Sequence, residues 1–359
     1  MAGITPRPGI LDIAAYVGGK AHIEGMSNTV KLSSNENPWG PSEDAKAAYR
    51  ALSGNLHVYP ASDHSDLRAA IAEVQDLDAE RIICSNGSDE LITLLCQAYA
   101  GPGDEVLHTE HGFSMYGICA QANGATPVQA AEDARRTDVD ALLAAVTPAT
   151  RLVFVANPNN PTGTMVPASE MTRLADGLPE ECLLVIDGAY AEFLDSYADH
   201  HEVVEECNNV FMTRTFSKIY GLGALRVGWG YGPAEVIDVL HRIRGPFNVN
   251  AAALAAAQAA VRDVHYAGKC REKNAEWRAW MTDALHEMGV ACDVSYGNFV
   301  LARFMDEAQA DGANEALSQA GLIVRQVKGY GFPEGLRITV GKGADCKRVI
   351  AVLREFLGR

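Results

Sequence analysis

The sequence predicts an α/β fold: a large domain on a mostly parallel, doubly wound sheet with one antiparallel strand, joined to a smaller α+β domain. Three features carry that expectation. Short apolar runs alternate with segments of helix length, one link between two such runs is too short for a parallel crossover, and the pattern changes near residue 245.

The first 35 or so residues hold few periodic apolar positions and are expected to lie across the body or onto a partner. In "SDLRAAIAEV" (65–74), Leu67, Ile71 and Val74 fall at i, i+4 and i+7, and a serine is read as the cap of this helix. Short strands are expected at "EVLHT" (105–109) and "ATPVQA" (125–130). Stronger ones follow at "RLVFVAN" (151–157), "CLLVID" (182–187) and "NVFMTRT" (209–215), continuous apolar runs suited to a sheet covered on both faces. Segments such as "ASEMTRLADGL" (168–178) have the length of crossover helices. About ten residues separate "NVFMTRT" from "RVGWGYG" (226–232), and a parallel crossover takes a dozen or more, so "RVGWGYG" is expected to run antiparallel, carrying Arg226. An Ala-rich helix is expected over about 251–264. Residues 275–359 read helix, strand "GNFVLARF" (297–304), helix, strand "LIVRQV" (322–327), strand "LRITVG" (336–341), helix. The expected division is 1–40 for an N-terminal arm and small-domain segment, 41–250 for the large domain, and 251–359 for a linking helix and the C-terminal small domain.

Composition narrows the function classes. A net charge of −16 argues against nucleic acid as a partner, because phosphate backbones are bound by basic patches. The eight cysteines are scattered, with no CxxC pair and no close spacing to histidine, so neither a disulfide framework nor a metal site is expected. His22, His57, His64, His108 and His111 form no set with metal spacing and are read as structural. The N-terminus lacks the apolar run of a signal peptide, and the longest apolar run, "AAALAAAQAAV" (251–261), is too short to span a bilayer. A reduced, cytosolic protein without membrane contact is expected.

Ligands of open α/β sheets bind beyond the carboxyl ends of the strands. Three expected strand ends present Asn160 in "NPNNPTG" (157–163), Asp187 and Tyr190 in "DGAY", and Thr215, Ser217 and Lys218 in "TFSK". Taken singly, the first reads as a turn, Asp187 as a helix cap, and Lys218 as a solvated lysine. Together they meet one set of demands. A Schiff base needs a lysine in a semi-dry pocket. A pyridine ring acting as an electron sink needs a carboxylate at its nitrogen. Its ring oxygen needs donors such as an amide and a phenol, and a phosphate needs hydroxyls, backbone N–H groups and an arginine fork. The group that makes these demands is pyridoxal 5'-phosphate (PLP).

On these stretches, and on "KLSSNENPWGPS" (31–42), "VYP" (58–60), "NGSDELI" (86–92), "TRTFSKIYGLGALRVGW" (213–229), "RIRGPFNVN" (242–250) and "VRQVKGYGFPEGLRITVG" (324–341), the sequence resembles the fold-type I PLP-dependent aminotransferases, and closely the histidinol-phosphate aminotransferase group. The resemblance implies that Lys218 binds the cofactor covalently and moves the Cα proton. It implies that Asp187 pairs with the ring nitrogen and that Asn160 and Tyr190 hold the ring oxygen. Thr215, Ser217, Arg226 and the backbone N–H groups of Ser88 and Asp89 would hold the phosphate, and Phe113 would stack on the ring. Tyr59 would reach the cofactor phosphate of a neighbouring subunit, making the site a property of a homodimer. Arg337 would bind the carboxylate of the amino-acid partner, and Asn35 would lie close to the substrate. Arg325 and Tyr16 match positions near a substrate phosphate. Two departures stand out. Gly188 occupies a position that usually holds a larger residue, which implies altered packing around Asp187, and Phe113 stands where many relatives have Tyr.

The implied reaction converts histidinol phosphate and 2-oxoglutarate to imidazole-acetol phosphate and glutamate, a step of histidine biosynthesis. Alternatives within the same chemistry are an aromatic (Phe/Tyr) or dual-specificity aminotransferase and a phosphothreonine decarboxylase. A PLP-binding regulator is disfavoured by the −16 charge and the lack of a basic helix.

Overall fold

A computed structural model describes residues 4–16, 18–194 and 199–359. Seven strands form the larger sheet, in the order Ile82–Ser85, Gly228–Tyr231, Val210–Thr215, Leu183–Asp187, Thr150–Ala156, Glu105–Thr109, Thr126–Ala130. Gly228–Tyr231 runs antiparallel to both neighbours, and every other pairing in this sheet is parallel. The reversal has a local cause: the link after Thr215 holds only a short 3₁₀ turn, Gly223–Leu225, which cannot carry the chain back across the sheet.

Alternate residues of the central strands feed opposite faces, as strand geometry requires. Val153, Val155, Leu184 and Ile186 pack with Leu67, Ile71, Met171 and Leu174 from the helices Ser65–Gln75 and Ala168–Gly177. Leu152, Phe154, Leu183 and Val185 pack on the other side with Leu91, Leu95, Tyr116 and Leu240 from the helices Ser88–Tyr99, Met115–Asn123 and Ala234–Ile243. The sheet is thus covered on both faces, which explains why its inner strands read as unbroken apolar runs.

A second buried cluster, with Leu32, Met281, Leu285, Val300, Ile338 and Leu353 among its members, surrounds a three-stranded antiparallel sheet ordered Phe299–Arg303, Phe332–Thr339, Arg325–Val327. Val30–Lys31 pairs in parallel with Leu322–Ile323, so the N-terminal segment is tied to the C-terminal part of the chain. Arg7 of the N-terminal segment donates to the Ala122 carbonyl of the larger body, and within the segment Ser33 Oγ donates to the Lys20 carbonyl at 2.8 Å.

Several expectations need correction. Ser65 is the first residue of its helix and not its cap; His64 stands at the cap position with φ 53°, and Asp63 Oδ1 accepts from the Ser65 N–H at 3.2 Å. The expected strand 322–327 is two strands, because Leu322–Ile323 pairs with the N-terminal segment while Arg325–Val327 joins the three-stranded sheet. The Ala-rich helix stops at Arg262, and Val264–Glu287 is one helix of 24 residues that starts well before position 275. Arg226 lies in the turn before the antiparallel strand, at φ 55°, and not on the strand.

Candidate active site

The parallel strands Thr150–Ala156, Leu183–Asp187 and Val210–Thr215 end side by side, and a cavity of about 340 Å³ opens at that edge. Its size falls within the usual range for small-ligand sites. Tyr16, Asn35, Ser88, Asp89, Phe113, Asn160, Asp187, Tyr190, Thr215, Ser217, Lys218, Arg226, Arg325 and Arg337 all line it. Fourteen of the fifteen residues singled out from the sequence therefore meet in one place. The fifteenth, Tyr59, does not line it; it is 77% exposed and stacks on Phe247 with ring centroids 4.6 Å apart.

Lys218 sits just past the Val210–Thr215 strand, its Nζ 3.2 Å from the Ser34 carbonyl oxygen and 5.5 Å from the centre of the Tyr190 ring. Burial lowers its pKa to about 8, with further push from the charges of Arg337 and Arg226. A lysine held this way has a larger share of neutral amine near neutral pH than an ordinary lysine, and the neutral amine is the form that attacks a carbonyl. Asp187 ends the neighbouring strand and is buried. Tyr116 donates its hydroxyl to Oδ2 at 2.7 Å, and Oδ1 accepts from the Ala189 N–H at 3.1 Å and the Thr213 hydroxyl at 3.3 Å. Burial raises the Asp187 pKa, and these three hydrogen bonds pull it back.

The bend Asn86–Gly87 leads from the strand Ile82–Ser85 into the helix Ser88–Tyr99, whose first residues Ser88 and Asp89 line the cavity. Arg226 closes this corner. Its Nη1 donates to Ser217 Oγ at 2.9 Å and its Nη2 to Asp89 Oδ2 at 3.0 Å. Two glycines make the packing possible: a Cβ on Gly87 would stand 2.4 Å from Arg226 Nη2, and one on Gly228 would stand 2.6 Å from the Ser88 nitrogen. A helix N-terminus, hydroxyls of Thr215 and Ser217, and a guanidinium fork form a cradle suited to a phosphate.

The third wall comes from the N- and C-terminal parts of the chain. Asn35, buried at φ 55°, donates to the Tyr190 hydroxyl at 2.8 Å and is pinned by Thr339, whose Oγ1 accepts the Asn35 N–H at 3.0 Å. Burial raises the Tyr190 pKa, so its hydroxyl stays protonated. Arg337 donates to the Asn160 amide oxygen and, at 2.7 Å, to the Ser33 carbonyl, and its buried Nε has no hydrogen-bond partner among the described residues. Arg325 is the register neighbour of Arg337 on the adjacent strand, so two guanidinium groups belong to the same wall. The Tyr16 ring meets Phe113 edge-on, with centroids 6.5 Å apart. Gly188 has a clear structural role: a Cβ there would lie 3.0 Å from Arg214 Cδ and Nε, so the small residue leaves room for that buried arginine, which faces Glu192 at 3.5 Å.

Sequence reasoning missed several participants. Ser33 and Ser34 contribute backbone carbonyls, which no residue-type signal reveals. Tyr330, in "KGYG", also lines the cavity. Tyr116 stands three residues after Phe113 in "HGFSMY", in the turn that opens the helix Met115–Asn123, where its N–H donates to the Phe113 carbonyl at 3.0 Å. Among the described residues, no group of three or more His, Cys, Asp or Glu could hold a metal ion, and no helix is long and apolar enough to cross a membrane.

Comparison with known proteins bears on the same chemistry. Residues 27–353 match the family model described as aminotransferase class I and II. Histidinol-phosphate aminotransferases of Ruegeria sp. (strain TM1040) and Dinoroseobacter shibae are each 59% identical to the chain over 356 residues; the matches cover 99% of this chain and 98% and 99% of those proteins. Among solved structures, histidinol-phosphate aminotransferase from Sinorhizobium meliloti, in complex with pyridoxal-5'-phosphate, superposes with a TM-score of 0.91 at 27% identity, covering 99% of both chains. The chain therefore belongs to the class I and II aminotransferases, in the group of the histidinol-phosphate aminotransferases.

Proposed function

We propose that the chain is a PLP-dependent transaminase that interconverts histidinol phosphate and 2-oxoglutarate with imidazole-acetol phosphate and glutamate. The observation that carries this reading is the meeting of Lys218, Asp187 and Arg226 in one cavity that Arg325 and Arg337 also line. The names of the relatives in Ruegeria and Dinoroseobacter, and the PLP held by the Sinorhizobium protein, support it.

The residues fit PLP on their own chemistry. A buried carboxylate, two ring-oxygen donors, a phosphate cradle with no Cβ at Gly87, and a lysine of lowered pKa match the four functional corners of the molecule. When bound, PLP supplies a carbonyl that takes up the amine and a ring that accepts electron density as the Cα–H bond weakens. Asp187 keeps a proton on the ring nitrogen. Asn160 and Tyr190 hold the ring oxygen, and Phe113 packs on the ring face. Ser88, Asp89, Thr215, Ser217 and Arg226 hold the phosphate. The Lys218 amine, its pKa lowered to about 8, takes the proton from the substrate Cα and gives it back on the product side. Arg337 takes the carboxylate of the dicarboxylic partner, Asn35 steadies Tyr190 beside the substrate, and Arg325 with Tyr16 takes the substrate phosphate.

A cytosolic homodimer belongs to the same proposal. Tyr59 lies outside the cavity of its own chain, exposed and stacked on Phe247, a position from which it would serve a neighbouring subunit's cofactor. The division at residues 40 and 250 goes with it, with Leu32 in the buried cluster around the three-stranded sheet. A second reading, transfer from phenylalanine or tyrosine, is favoured by the aromatic wall of Tyr16, Phe113 and Tyr330. The test is a steady-state assay of PLP-loaded protein for glutamate formed from 2-oxoglutarate. The proposal predicts rapid turnover with histidinol phosphate, and it fails if the loaded protein turns over phenylalanine or tyrosine instead.

A further inference from the structure

Tyr116 does not line the cavity, yet it makes the shortest hydrogen bond that Asp187 receives. Its side chain is fully buried. The ring lies flat on Phe154, with centroids 4.8 Å apart at 9°, and meets the Phe113 ring edge-on at 5.9 Å and 89°. Held on two sides, the phenol points its hydroxyl at Oδ2, which has no other donor among the described residues. No positively charged side chain forms an ion pair with Asp187 among the described residues, so in the free protein its ionised form depends on these dipoles.

We propose that Tyr116 is a positioning residue that keeps the Asp187 carboxylate ionised and aimed at the ring nitrogen of PLP, and that it couples this carboxylate to the ring-stacking Phe113. The inference rests on the PLP reading. Its physical basis is an asymmetry: Oδ1 has two donors and Oδ2 has one, so removing the Tyr116 hydroxyl strips one carboxylate oxygen of all its hydrogen bonds while burial stays the same. Burial also holds the Tyr116 hydroxyl well above the usual phenol range, so it remains a donor at any pH at which the enzyme works.

The experiment compares full-length wild type, Tyr116→Phe, Asp187→Asn and the double variant. Two readouts are taken: PLP affinity of the apoprotein by fluorescence titration, and the pH titration of the bound cofactor's absorbance. Tyr116→Phe keeps the stacked ring, and the loss of a hydrogen bond to a charged group predicts PLP binding weaker by about tenfold or more. The absorbance titration is predicted to shift, and Tyr116→Phe is predicted to add nothing in the Asp187→Asn background, because its effect passes through that carboxylate. A ring-fluorinated tyrosine at 116, which keeps the packing and makes a more acidic donor, is predicted to shift the absorbance titration in the opposite direction to Tyr116→Phe; this arm serves if Tyr116→Phe does not fold. A Tyr116→Phe protein that binds PLP as wild type does, with an unchanged titration, while Asp187→Asn is impaired, overturns the inference and leaves the PLP reading intact. Additive losses in the double variant overturn it as well. An Asp187→Asn protein that binds and titrates like wild type overturns both.

Discussion

Arg337 and Asn160 hold each other in the lining of the cavity: the guanidinium donates to the side-chain amide oxygen, and both residues are buried. The second Arg337 fork nitrogen is bound to the Ser33 carbonyl, and Nε has no hydrogen-bond partner among the described residues. A carboxylate that enters therefore meets a guanidinium already oriented, and exchanges a neutral acceptor for a charged one.

Arg337→Gln is predicted to lower kcat/KM for 2-oxoglutarate by about a hundredfold or more, since two charge-assisted hydrogen bonds are lost. PLP affinity is predicted to change much less. Stopped-flow measurement of the second half-reaction, beside a PLP titration, checks both. Equal losses in the two measurements would show that Arg337 serves the cofactor more than the substrate.

The lowered pKa of Lys218 fixes a sign with pH. Below about 8 the amine is protonated and cannot attack; above it the amine is neutral. Covalent capture of PLP by apoprotein, trapped with borohydride and read by mass spectrometry, is predicted to accelerate as pH rises through about 8 and then level off. Lys218→Ala is predicted to trap nothing. A rate still climbing steeply toward pH 10 would mean the lysine has its ordinary basicity.

Gly87 stands at φ 82° with Arg226 Nη2 2.4 Å from where a Cβ would go. Because φ 82° with ψ 162° is essentially a glycine-only conformation, Gly87→Ala is predicted to cost about 1–3 kcal/mol in backbone strain and to push the arginine out of the phosphate cradle. PLP affinity should fall by about tenfold or more, while pyridoxal, which lacks the phosphate, should bind as in wild type. Parallel loss for pyridoxal would place the damage elsewhere.

Arg325 separates the two substrate readings. Arg325→Gln is predicted to reduce kcat/KM for histidinol phosphate by about tenfold to a hundredfold while leaving any activity on phenylalanine nearly unchanged. Equal losses on both donors would remove the phosphate-binding role.

Much of this architecture is written in local sequence. The inner strands are legible because burial on both faces leaves each an unbroken apolar run, as in "CLLVID". The reversal at Gly228–Tyr231 follows from chain length alone. Ile82–Ser85 is too short to stand out, and the split at Val324 depends on pairing with Val30–Lys31, nearly three hundred residues away in sequence. The candidate site divides in the same manner. Lys218, Asp187 and Arg226 announce themselves by residue type, but the Ser33 and Ser34 carbonyls act through the backbone, and Tyr116 looks like any core aromatic until its hydroxyl is seen to meet Asp187.

The central claim is most directly tested by the first half-reaction in PLP-loaded protein without any oxo acid. The cofactor's absorbance would be followed by stopped flow as histidinol phosphate, phenylalanine, tyrosine and phosphothreonine are offered in turn, with CO₂ assayed alongside. The predicted result is fast conversion with histidinol phosphate, slow conversion with the others, and no CO₂. Comparable or faster conversion with phenylalanine or tyrosine, or release of CO₂ from phosphothreonine, would contradict it.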